Sequence, residues 1–430
     1  MEHKLSMGRK QVHIVGGGTI SHVRSHFALC APAYGQTARV LEQLCRARSP
    51  DYVVNLHVTK MASGGKGNLE TNEDVGRLID QLIAHPDTKM IFFNPALVDY
   101  RGSVWEPDVR IGEMRPRQSG KYQTRLNSRE QKHPDLRLEP NDKIISRIRK
   151  ERKDIYLVGF KETTGATEDQ QYLAGLNLLK EAACNLVLAN DNATRTNMII
   201  VPEEARYSIT KDRIKALTDL VDMAYLRSTL TFTRSHVIPG EGVPWSSPLI
   251  PTALRTVVDH CIEKGAYKPF RGSTAGHFAV KVDEKTFLTS RRKTNFNQLN
   301  SMGLIQVETR GVDEVIAYGG KPSVGGQSQR IVFKEHPEYD CIVHFHCPPK
   351  SDARVPTVAQ RPYECGSHEC GKNTSRGLEP VDNLNGDVSV VYLDNHGPNI
   401  VFHSSIDPGR VIAFIDENFD LSQKTGGLVG

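Results

Sequence analysis

QVHIVGGGT, residues 11–19, is a short apolar run that ends in three consecutive glycines. This is the pattern of an opening strand followed by a turn whose backbone comes close to a ligand. Outward from it, strand-like and helix-like stretches alternate. Residues 38–46 read as helix, DYVVNLHVT (51–59) as strand, EDVGRLIDQLIAHP (73–86) as helix and KMIFFNPAL (89–97) as strand. NDKIISRIRKE (141–151) and YLAGLNLLKEAA (172–183) read as helices. DIYLVGF (154–160), CNLVLAN (184–190) and a short final NMIIVP (197–202) read as strands, and a helix over 212–227 closes the unit. Such alternation predicts an α/β fold, a Rossmann-like, doubly wound and mainly parallel sheet.

HVIPGEGVPWSSP (236–248) holds three prolines and two glycines, which sustain neither helix nor strand, and reads as a linker. The expected organisation is therefore a domain over 1–235, the linker, and a second domain over 249–430. In the latter, Leu254, Val257, Val258, Cys261 and Ile262 give residues 252–264 one apolar helical face. Strand-like runs follow: HFAVKV, TFLTS, IQVE, EVIAYG, CIVHFH, VSVVYL and NIVFH. DPGRVIAFIDENFDL (407–421) ends the pattern as a helix with Pro408 at an early position. The second half reads as α+β.

At 430 residues and 38% hydrophobic content, two or three ordinary domains are expected. No run of eighteen apolar residues is present to span a bilayer. The N-terminus passes from a charged lead straight into a strand without an apolar secretory core, so a cytoplasmic location is expected. Basic residues concentrate between 110 and 152, yet no aromatics interleave with them as a nucleic-acid surface requires. A solvated loop or a site for anionic small molecules fits that stretch. Eight cysteines without a secretory signal do not form a disulfide framework. Cys30, Cys45, Cys184, Cys261 and Cys341 read as small core residues. YECGSHECG (363–371) holds Cys365, His368 and Cys370, but CxxHxC lacks the paired spacing of a structural zinc site.

CIVHFHCPP (341–349) places His344 and His346 two apart, hence on one face of a strand, and VVYLDNHGP (390–398) brings His396 just before a glycine. Three neutral imidazoles with an open position describe a catalytic divalent site, for Zn²⁺ or a similar ion.

Most of residues 249–422 resembles the class II aldolase/adducin family. GSTAGHFAV (272–280) is similar to that family's Gly-Thr-x-Gly-Asn turn and strand, FLTS (287–290) to its next strand, GGKPS (319–323) to its turn before a helix, and NHG (395–397) to its third-ligand motif. The resemblance implies a divalent metal on His344, His346 and His396 that polarises oxygens of a small anionic substrate in aldol cleavage, epimerisation, dehydration or decarboxylation. It also implies homo-oligomers. Ser273, Thr274, Gly276, His277, Arg291, Arg292 and Ser323 fall where the family holds its substrate. His277 stands where Asn is typical. The acidic residue that usually moves the proton is missing, its slot falling near Gly325 in KPSVGGQSQ, which leaves Tyr363, His368 and Glu369 as candidates.

Residues 10–230 resemble the phosphopantothenoylcysteine synthetase family through VHIVGGGTISHVR (12–24), PALVDYR (95–101), LRLEPNDKII (136–145), LVGFKETT (157–164) and LVLAND (186–191). That resemblance implies a nucleotide, usually CTP with Mg²⁺, approached by Gly16, Gly17 and Gly18 and lined by Asp99, Phe160, Asn190 and Asp191. LCAPAYGQTA (29–38) lacks the asparagine and lysine of the family's loop, and TRLNSRE (124–130) replaces its lysine-rich flap, with Arg125 as a substitute phosphate partner. The leading expectation is a two-domain enzyme, a metal-dependent lyase joined to a nucleotide-binding synthetase-like domain. The alternatives are a CTP-dependent carboxylate–amine ligase with a modified second domain and a non-catalytic protein of the adducin type.

Overall fold

The computed structural model describes residues 9–107, 112–129, 133–323 and 326–425; Gly325 lies outside them. The chain divides into two compact units, Met1–Ile200 with Ser208–Ala224, and Val201–Tyr207 with Tyr225–Gly430.

The first unit is built on a seven-stranded sheet whose spatial order is Arg206–Thr210, Asn197–Ile200, Leu186–Asp191, Tyr156–Thr163, Thr88–Ala96, Gln11–Gly18 and Val53–Val58. The last five pair in parallel, and Asn197–Ile200 runs antiparallel beside Leu186–Asp191. By chain order the parallel strands lie 2-1-3-4-5, so the winding reverses between Gln11–Gly18 and Thr88–Ala96. Val12, Ile14, Ile91, Phe92, Leu157 and Leu188 are fully buried, as a sheet covered on both faces requires. Two helices start where their sequences dictate. Thr71 caps Asn72–Ala84 and Thr167 caps Glu168–Ala182, each in a reciprocal capping box with Asp74 or Gln170.

The charged stretch after residue 100 is not a bare loop. Tyr100–Pro107, Met114–Pro116 and Asp135–Pro140 form a small antiparallel sheet. Its basic side chains are absorbed locally: Arg117 pairs with Glu106 at 2.6 Å, Arg101 with Glu139 at 3.0 Å, and Arg137 stacks 3.8 Å over the Trp105 ring. No apolar alternation marked these strands, because they bury few side chains. The strand Arg206–Thr210 was missed because its sequence RYSIT is largely polar and only Tyr207 is buried, and Cys30, expected inside, is exposed.

The second unit carries a ten-stranded sheet. Its middle runs Thr286–Thr289, His277–Lys281, Cys341–His344, Gly397–Phe402 and Val388–Leu393, antiparallel throughout. One face packs Leu254, Val257 and Val258 of Thr252–Glu263 with Val411 and Ile415 of Pro408–Asn418. The other packs Val332 and Phe333 of Gly326–Glu335 with Cys370 of His368–Gly377. Residues 236–238 of the expected linker lie in Arg234–Ile238, a parallel edge strand beside Glu314–Tyr318. The run CIVHFH keeps strand pairing only to His344, so His346 sits just past the strand's end.

Candidate metal centre and ligand cavity

His344 ends a central strand and pairs in register with His277 on one side and Asn399 on the other. His396 comes from the turn that feeds the latter strand: its amide bonds to the Leu393 carbonyl, and Asn395 takes the left-handed conformation (φ 55°). Gly397 must follow, because a Cβ there would stand 2.0 Å from the Phe345 carbonyl oxygen. The three rings meet edge to face, with centroids 5.0 Å (His344–His346), 4.6 Å (His344–His396) and 4.6 Å (His346–His396) apart. One donor atom from each lies within 4.8 Å of the others, and among the described residues no other group of three His, Cys, Asp or Glu is so arranged. The CxxHxC segment does not make a second one. Ser367 instead caps the helix His368–Gly377, with Cys370 buried in its first turn.

The environment suits neutral imidazoles. Exposures are 1%, 8% and 1% for His344, His346 and His396. Burial pushes His344 down to about 4, against the opposing pull of its bond to Pro398. His396 is lowered well below the usual range by burial first, then by His344, His277 and Arg227. His344 Nδ1 lies 2.7 Å from the Pro398 carbonyl, an acceptor only, so Nδ1 carries the proton and the Nε2 lone pair faces His396 Nε2 at 3.3 Å. His396 Nδ1 is buried with no hydrogen-bond partner. Two buried Nε2 atoms that converge at 3.3 Å, with a third imidazole beside them, are what a divalent ion would satisfy, so the donor set fits one.

His277 stacks 4.7 Å from His344, and its Nδ1 meets Gln329 Nε2 at 2.6 Å while Thr289 Oγ1 donates to Gln329 Oε1 at 2.8 Å. Gln329 had no signal in the sequence. Gly276, at φ +113°, brings its turn against the same strand, where a Cβ would stand 2.7 Å from the His344 carbonyl. Ser273 bonds to the Phe270 carbonyl, and Thr274 accepts from the Phe296 amide. Arg291 forms a backbone bridge with Pro322, and the Arg292 amide bonds to Lys321, so both exposed arginines flank the KPS turn. Ser323 is buried against Ser290.

The candidate proton-transfer residues are engaged elsewhere. Glu369 accepts from the Thr231 amide (3.1 Å) and hydroxyl (2.9 Å). His368 lies 2.7 Å from Thr233 Oγ1 and 3.5 Å from Asp313, and Tyr363 packs on the hydrophobic layer around Cys370. These contacts tie a helix start to a neighbouring segment.

In the first unit, a cavity of about 610 Å³ opens where the strand order reverses. Gly17, Asn94, Phe160 and Asn190 line it from the carboxyl ends of four parallel strands, the usual place for a ligand in such a sheet. The three glycines divide their work. A Cβ on Gly16 would strike Ala38, and one on Gly18 the Ala31 carbonyl; Gly17 reaches the cavity with φ +101°. Asp191 lines it too, yet its oxygens are filled by the amides of Gly165, Ala166, Ala193 and Thr194 and the Thr163 hydroxyl. Those bonds, led by Thr194, hold its carboxyl far below the ordinary value. Asp191 therefore braces two loops at the cavity wall, where it was expected to lie. Asp99 pairs with Lys143 at 2.7 Å on the surface, and Arg125 is exposed, neither lining the cavity. Arg195, Lys211 and Arg213 line it instead, unforeseen because no motif marked them.

Residues 260–351, which include His344 and His346, match the Class II Aldolase and Adducin N-terminal domain family. A 55-residue stretch is 40% identical to the Coenzyme A biosynthesis bifunctional protein CoaBC of Thermococcus kodakarensis, spanning 13% of this chain and 14% of that protein. Among solved structures, the DNA/pantothenate metabolism flavoprotein from Streptococcus pneumoniae is 19% identical, with 50% of this chain and 99% of that chain covered at a TM-score of 0.40. L-fuculose 1-phosphate aldolase is 12% identical, covering 40% and 85% at a TM-score of 0.28. The chain thus holds, in one polypeptide, a 55-residue stretch similar to CoaBC and a segment that matches the class II aldolase and adducin family.

Proposed function

We propose that the second unit is a metal-dependent lyase acting on a small anionic substrate, and that the first binds a nucleotide, CTP with Mg²⁺ being the candidate. The observation that carries the reading is the trio His344, His346 and His396, three buried imidazoles with donor atoms inside 4.8 Å. A divalent ion there, Zn²⁺ foremost, would supply Lewis-acid polarisation of a substrate oxygen. The chain's own residues do the rest. The Pro398 carbonyl holds His344 in one tautomer, and the packed strands exclude water from three rings. Arg291 and Arg292, flanking the KPS turn, would hold the substrate's anionic group through paired N–H donors. Homo-oligomerisation belongs to the same reading, and light scattering on the purified chain tests it.

The test is metal analysis followed by a screen of phosphorylated and carboxylated hydroxy-carbonyl compounds for bond cleavage. Near-stoichiometric divalent metal, lost in His344→Ala, is the expected result. A chain that takes up neither zinc nor manganese after loading refutes it. A second reading, a CTP-dependent carboxylate–amine ligase, draws on the cavity in the first unit. Amide formation on CTP addition without bound metal would select it.

A further inference from the structure

The cavity in the first unit contains a fixed cation that no carboxylate neutralises directly. Arg213, the first residue of the helix Arg213–Arg227, is half-buried, and burial lowers its pKa below the ordinary guanidinium value, partly offset by Glu162. Its Nη1 donates to Asn197 Oδ1 at 2.7 Å and its Nη2 to Thr37 Oγ1 at 3.3 Å. Both acceptors are neutral, and among the described residues it has no ion-pair partner within 4 Å. Asn197 cannot turn away, because its Nδ2 already donates to the carbonyls of Arg195 and Thr210, each at 3.0 Å. Its oxygen is therefore committed to the guanidinium. A charge partly removed from water and locked by neutral groups, with donors to spare, is preorganised for an external oxyanion.

The neighbours favour the same ligand. Lys211 and Arg195 line the cavity and are exposed, so their charges reach its mouth. Of the two acidic residues in the wall, Asp191 has its oxygens filled by its own loops, which leaves Glu162 as the free acceptor. The helix Gln36–Arg48 begins at the cavity, where Gln36 and Thr37 line it. It has no side-chain cap and no acidic residue in its first turn, so its amide dipoles add to the positive field.

We propose that Arg213, flanked by Lys211 and Arg195, seats a phosphate group of the ligand that enters this cavity. The source is either the phosphates of a nucleotide, which rests on the reading given above, or a phosphorylated metabolite without a base.

Isothermal titration of the full chain with CTP, cytidine, ATP and inorganic tripolyphosphate separates these. Tripolyphosphate and CTP should bind, cytidine should bind at least tenfold more weakly than CTP, and Arg213→Gln should weaken both anions tenfold or more. Arg213→Lys should recover part of the affinity, since it keeps the charge and loses the fork. Should Arg213→Gln fail to fold, Lys211→Gln and Arg195→Gln, at exposed positions, carry the test with a severalfold loss each. Tripolyphosphate bound in an Arg213-dependent way, with no preference for CTP or ATP, supports the seat and removes the nucleotide reading. CTP bound equally by wild type and all three glutamine variants overturns the seat and leaves the nucleotide reading standing. No binding of CTP, ATP or tripolyphosphate overturns the seat.

Discussion

Glu203 and Arg227 form an ion pair with both side chains at 0% exposure, and replacing one partner should unfold the second unit at far lower denaturant. Two parallel bonds join them, Arg227 Nη2 to Oε1 at 2.6 Å and Nη1 to Oε2 at 3.2 Å, while Nε donates to the Arg361 carbonyl at 3.0 Å. Glu203→Gln keeps the shape and removes the counter-charge, stranding a guanidinium out of water. Breaking a buried pair in this way costs about 3–5 kcal/mol. With a urea dependence of roughly 2–3 kcal/mol/M, the midpoint should fall by about 1–2.5 M. Arg227→Met should cost a similar amount by stranding the carboxylate. The double variant Glu203→Gln/Arg227→Met leaves no buried charge and should lose far less than the two single losses combined.

The assay is available within the chain, which has two tryptophans. Trp245 is buried in the core of the second unit, with its indole N–H on Asp259 at 2.9 Å. In a Trp105→Phe background its emission reports that unit's unfolding. A Glu203→Gln midpoint within about 0.3 M of wild type, or a double variant that loses the full sum, would refute the reasoning. Either result would mean that water reaches the pair.

Three further outcomes are expected. His344→Ala should lower bound zinc at least tenfold by mass spectrometry while the first unit's melting transition stays in place; undiminished metal in a His344→Ala/His396→Ala variant rejects the trio. Asp191→Asn should destabilise the first unit at neutral pH. Because the folded carboxyl is held below its unfolded value, its contribution is full above the unfolded pKa and disappears as pH falls through the folded one, so the urea-midpoint gap to wild type should close in acid. His13 is lowered to about 4, mainly by burial and then by His57, so the folded chain resists a proton that the unfolded chain accepts below about 6.5. Stability should therefore drop on acidification from about 6.5 towards 4, and His13→Gln should flatten that slope in pH-dependent urea titrations; an unchanged slope rejects the assignment.

The parallel sheet was legible because its strands are largely apolar on both faces and separated by helical periods, as in Met90–Phe93 and Leu186–Leu188. The seven strand-like runs of the second half were legible from short apolar or alternating stretches, as in Val388–Leu393 and Ile305–Arg310. The polar strands Met114–Pro116 and Asp135–Pro140 were not, since they bury little and show no alternation. The histidine trio could be proposed because spacing on a strand and an NHG turn are local signals. The cations of the first cavity could not, because Lys211 and Arg213 enter it from the start of the last helix, far in sequence from Gly17. Asp191 lines the cavity, but its bonding partners were hidden for a related reason. A carboxylate at a strand's end looks available in one dimension, and only the fold reveals that two loops have already claimed it.

The bond from His344 to the carbonyl of residue 398 also bears on heredity. A side-chain acceptor can be deleted by a single codon change, whereas a main-chain carbonyl is supplied by whichever amino acid stands there. The tautomer of the central imidazole is thus insulated from most substitutions around it. Sequence drift can reshape the pocket's walls, and with them the choice of substrate, while the nitrogen that faces the other rings keeps its lone pair.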